Sequence, residues 1–63
     1  MSIGSNIKER RDAANLSQRE LAEMVYITQS MLCQIERGSK TPTLPLSKQI
    51  ADALGCTLEE LVQ

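Results

Sequence analysis

The chain has 63 residues, a formal net charge of −1, 41% apolar and 24% charged residues, and Tyr26 as its single aromatic. A domain this short hides only roughly 60% of the surface its unfolded chain exposes, which leaves room for one small core and excludes a separate catalytic lobe. There is no histidine to join the widely spaced Cys33 and Cys56 in a four-ligand zinc set, and no apolar run near the ~18 residues of a membrane span.

Helix signals recur about five times in chain order, and nothing reads as a strand. The first helix is expected from Ile3 to Ala14. Ser2 supplies a capping oxygen, and Ile7, Ala14 and the stem of Arg11 share one side. Asn15 ends it, because asparagine tolerates the left-handed conformation common at helix C-termini. Ser17-Gln18-Arg19-Glu20 fits a capping box, so a second helix starts there, with Leu21, Ala22 and Val25 as its apolar stripe.

A third start follows at Thr28, with Leu32 and Ile35 buried and Gly38 at its end. Ser39 to Pro42 reads as a loop. Thr43 caps a fourth helix and Pro45 lies in its first turn, where a missing N–H costs little. Leu46, Ile50, Ala51 and Leu54 face inward, and Gly55 closes it. Thr57-Leu58-Glu59-Glu60 is a second capping box and opens a last turn carrying Leu58, Leu61 and Val62.

The segment from Gln18 to Arg37 is the most informative. Two short helices separated by two or three residues must cross at a large angle. Ala22 provides the small side chain for the close approach, and Leu21, Val25, Ile27, Leu32 and Ile35 fill the angle. With Leu32 inward, Ser30, Cys33, Gln34 and Arg37 face outward, and Gln29 sits at the exposed N-terminal end. Glutamine suits paired hydrogen bonds to adenine, and serine can meet several base edges. There is neither a carboxylate cluster nor a glycine-rich phosphate loop, so an enzyme is not expected.

These residues, with LSQRELAEMV, ITQSMLCQIERG and ALGCTLEEL in order, resemble the helix-turn-helix of the lambdoid phage repressor and Cro family, which includes the Xre-type bacterial regulators. The likeness runs from about Ile7 to Leu61. It implies an all-α bundle of about five short helices, with residues 1–63 as a single DNA-binding domain and the motif at about 18–37. The family's second motif helix lies in the major groove. By resemblance, Gln29, Ser30 and Gln34 are the base readers. Gln18 and Thr28 fall at phosphate-contacting positions, and Arg19, Arg37 and Lys40 could add phosphate contacts. Each has a simpler reading as a solvated surface group, and Thr28 is also a good N-cap.

Arg11 and Glu36 match a structural ion pair found in relatives. Leu58, Leu61 and Val62 either cap the core or form a small contact in a homodimer that is weak off DNA. The expected partner is double-stranded operator DNA. No membrane, cofactor, metal or small-molecule ligand is expected, and the N-terminus lacks the pattern of a secretory leader, so a cytoplasmic repressor is implied.

Three departures from the family stand out. Tyr26 occupies a turn position usually held by glycine, Arg10 stands where many relatives carry leucine, and Cys33 lies on the groove-facing side. Two alternatives remain open at this point: an antitoxin or a piece of a larger regulator with the same chemistry, and a helical protein-interaction module, favoured by the acidic pI of 5.2.

Overall fold

Each helix of the computed structural model, which describes residues 2–63, begins at a hydroxyl residue. The helices are α1 (Ile3–Ala13), α2 (Gln18–Met24), α3 (Gln29–Arg37), α4 (Leu44–Leu54) and α5 (Leu58–Val62). Ser2, Ser17, Thr28, Thr43 and Thr57 each turn a side-chain oxygen to a backbone N–H of the first turn. That satisfies one of the donors a helix start leaves unpaired. At Ser17 and Thr57 the capping box is complete, with Glu20 and Glu60 accepting from the N-cap backbone at 2.8 and 2.9 Å.

The first four helices also stop alike. Asn15, Tyr26, Gly38 and Gly55 take positive φ values of 58, 61, 83 and 72°. In each case the next N–H reaches back to the helix: Leu16 to Arg11, Ile27 to Ala22, Ser39 to Gln34 and Cys56 to Ala51, at 2.9–3.1 Å. This is the Schellman arrangement, in which one left-handed residue reverses the chain and satisfies terminal carbonyls. Turns this tight fold short helices back on one another.

The core is Ile7, Leu21, Ala22, Val25, Leu32, Ile35, Leu46, Ile50, Ala51 and Leu61, drawn from all five helices. It is aliphatic throughout. Gly4 lets the backbone of α1 rest on the C-terminal carbonyls of α3. Ala14, expected on the inner side of α1, is exposed. It follows the last helical residue, where the chain is already leaving the packed face. Among the described residues no helix is long and apolar enough to cross a membrane, and no group of three or more acidic, cysteine or histidine side chains could hold a metal.

Candidate nucleic-acid interface

Helix α3 has one face fixed and one face open. Leu32, Ile35 and Glu36 are buried, while Gln29, Ser30 and Arg37 are exposed and Cys33 and Gln34 are half-buried. The open face therefore starts at the N-terminus, immediately after Thr28, whose hydroxyl accepts from Met31 N at 3.0 Å. Thr28 itself is exposed. Backbone N–H groups in this first turn carry partial positive charge and favour anions.

The turn before α3 is set by Tyr26. Its φ of 61° is one a side chain occupies with strain, and its ring is 91% exposed. Burial therefore offers nothing against the strain. The backbone bond from Ile27 N to Ala22 O, 3.0 Å, holds the turn.

The expected ion pair is present and buried. Arg11 donates from Nε to Glu36 Oε2 at 2.8 Å and from Nη2 to Oε1 at 3.2 Å, a two-point fork. Its Nη1 donates to Leu16 O at 2.8 Å, and Asp12 lies 3.2 Å from the same nitrogen. The hydrogen bond to Glu36 raises the Arg11 pKa further above its ordinary value, against the opposing effect of burial. Among the described residues no buried side-chain nitrogen or oxygen lacks a partner.

The remaining expected contact residues divide. Arg37 and Lys40 are exposed at the far end of α3. Arg19 is exposed but lies 3.5 Å from Glu23 one turn on, so part of its charge is already offset. Gln18 is half-buried and turned inward: its Nε2 donates to Glu36 Oε1 at 3.0 Å. Leu61 takes the core reading and not that of a dimer contact. It is 0% exposed and part of the core, so it has no surface to offer a second copy. Packing against α1 and α4 fixes the short α5, and Leu61 is the side chain it anchors by. Leu58 is half-buried, and Val62 is 53% exposed.

Two site-supporting residues were not legible in the sequence. Asn6 is buried and donates from Nδ2 to Leu61 O at 2.9 Å and Gln63 O at 2.6 Å, tying α1 to the end of α5. Gly4 allows the approach of α1 to α3. Arg10, at a usual leucine position, is half-buried and reaches Glu60 at 3.7 Å across the same α1–α5 junction.

Comparison with known proteins agrees with this geometry. The helix-turn-helix family HTH_3 matches residues 7–61. An uncharacterized HTH-type transcriptional regulator of Mycobacterium tuberculosis is 41% identical over 58 residues, covering 92% of this chain and 41% of that protein. The immunity repressor of Bacillus phage phi105 is 36% identical over 62 residues, covering 98% of this chain and 43% of the repressor. The chain thus spans about two fifths of the length of these relatives. Among solved structures, the P22 c2 repressor in complex with a synthetic operator superposes with a TM-score of 0.93 at 25% identity, covering 100% of this chain and 96% of that one.

Proposed function

The chain belongs to the helix-turn-helix family HTH_3, and from that premise we propose that it is a sequence-specific DNA-binding transcriptional regulator, a repressor that sets α3 in the major groove. The supporting observation is the two-sided character of α3: Leu32, Ile35 and Glu36 are locked inside while Gln29, Ser30 and Arg37 face out. A rigid scaffold behind a polar N-terminal face is what base reading requires. Gln29, Ser30 and Gln34 read base edges. Gln18, Thr28, Arg19, Arg37 and Lys40 hold phosphates, which positions the helix without carrying sequence information. The five helices work as one binding unit, without catalysis.

The operator is an inverted repeat read by two copies, with α3 helices about 34 Å apart. Leu58 and Val62 supply the contact between the copies. With so little apolar surface the dimer forms mainly on DNA. The test is selection from a random-sequence duplex pool at moderate salt. An enriched inverted repeat with half-sites about one helical turn apart is expected. No enrichment by a protein that is folded by circular dichroism would refute the proposal.

A further inference from the structure

Three helices meet at one carboxylate. Glu36 sits on α3, and its side chain is 3% exposed. Oε2 accepts from Arg11 Nε of α1 at 2.8 Å. Oε1 accepts from Arg11 Nη2 at 3.2 Å and from Gln18 Nε2 of α2 at 3.0 Å. The arginine fork alone balances the charge, so the bond from the neutral Gln18 is not needed for that. We infer that Glu36 is a positioning residue, which holds the Gln18 amide ready as a phosphate donor. This rests on the DNA-binding reading of the site.

The Gln18 amide nitrogen has two N–H groups. Glu36 takes one, and among the described residues no acceptor takes the other. Because the amide is planar, binding the first N–H fixes the direction of the second. A free glutamine samples several rotamers, and ordering it costs entropy on binding. Here that ordering is complete before DNA arrives. The Arg11 fork keeps the carboxylate from swinging, and Glu36 belongs to the same helix as Gln29, Ser30 and Gln34. The device therefore fixes a phosphate-directed donor in register with the base readers. A neutral amide donating to a phosphate gives a charge-assisted bond, stronger than a neutral pair.

The probe is a mixed-sequence duplex, since phosphate contacts do not depend on sequence. Affinity is measured against salt for the wild type, Gln18→Ala, Arg11→Met/Glu36→Leu and the triple variant. Gln18→Ala is expected to weaken binding about tenfold, as for a hydrogen bond to a charged group. The salt slope stays unchanged, because glutamine neutralises no phosphate. In the Arg11→Met/Glu36→Leu background, Gln18→Ala should have no further effect.

Wild type that binds no duplex would refute the DNA-binding reading and this inference with it. Wild-type binding with Gln18→Ala equally tight would overturn the inference alone. An equal tenfold loss in both backgrounds would show that Glu36 does not position the amide. Should the paired replacement fail to fold, the Gln18 side-chain amide in the wild-type NMR spectrum decides. Side-chain amide resonances already displaced from the free-glutamine positions by the bond to Glu36, with a further shift on adding duplex, support the device. Resonances at the free-glutamine positions that do not respond to duplex overturn it.

Discussion

Replacing Gly4 by alanine sets two rules against each other. In an ordinary helix position, Gly→Ala stabilises by about 0.8–1.0 kcal/mol. Gly4, however, lies against the backbone of α3. A methyl built there would overlap the Ile35 carbonyl oxygen and sit 2.8 Å from the Glu36 oxygen and 3.1 Å from its carbonyl carbon. Comfortable contacts need about 3.5–4.0 Å. The atoms in the way are main-chain, so no rotamer change relieves the clash, and α1 must retreat from α3. Overpacking costs typically about 1–3 kcal/mol. A rigid backbone obstacle puts this case near the top of that range. Setting about 3 against a propensity gain of about 1 leaves a net loss of about 2 kcal/mol. For a domain of this size that lowers Tm by about 8–16 °C. Thermal unfolding followed by far-ultraviolet circular dichroism measures it, with Ser5→Ala, an exposed change in the same helix, as control. A Gly4→Ala protein that melts at or above the wild-type temperature would refute the close approach.

Arg11→Met leaves Glu36 buried without its main partner and should cost about 3–5 kcal/mol, against under about 0.5 for the exposed Lys8→Met; equal melting temperatures would contradict the buried pair. Tyr26→Gly should raise Tm by several degrees by removing a left-handed strain of about 1 kcal/mol, while Tyr26→Ala, which keeps a Cβ at the same φ, should leave it nearly unchanged. Glu20 and Glu60 have pKa values lowered below 4.5, first by the backbone N–H of Ser17 or Thr57 and then by its hydroxyl. A depressed folded-state pKa gives stability that is present above the unfolded value and lost as pH falls through the folded one. The wild type should therefore lose Tm below about pH 5, and Glu20→Gln/Glu60→Gln should flatten that part of the profile; parallel profiles would count against the boxes.

What the sequence shows in advance is the local chemistry. The five hydroxyl caps, both capping boxes and the terminal Gly38 and Gly55 follow from short-range hydrogen bonding, and all appear in the structure. The left-handed Tyr26 was a consequence of its place in the turn. Contacts between distant segments do not follow from local chemistry, and the one long-range contact expected, Arg11 with Glu36, came from the family resemblance. Asn6 meets carbonyls 55 and 57 residues away, and nothing near it in the chain announces that. The approach at Gly4 exists only once α3 is packed. Gln18 looked like an outward polar residue, and its inward bond needs Glu36 from another helix. Leu61 was ambiguous because five residues make too short a helix for its apolar period to define one face.

The proposed function stands or falls on base reading by the N-terminal face of α3. The direct measurement is selection from a random duplex pool repeated with Gln29→Ala. Preference should relax at one base pair in each half-site, by about 1–3 kcal/mol, with the rest of the site and its spacing retained. A selected sequence identical to that of the wild type would contradict base reading by α3.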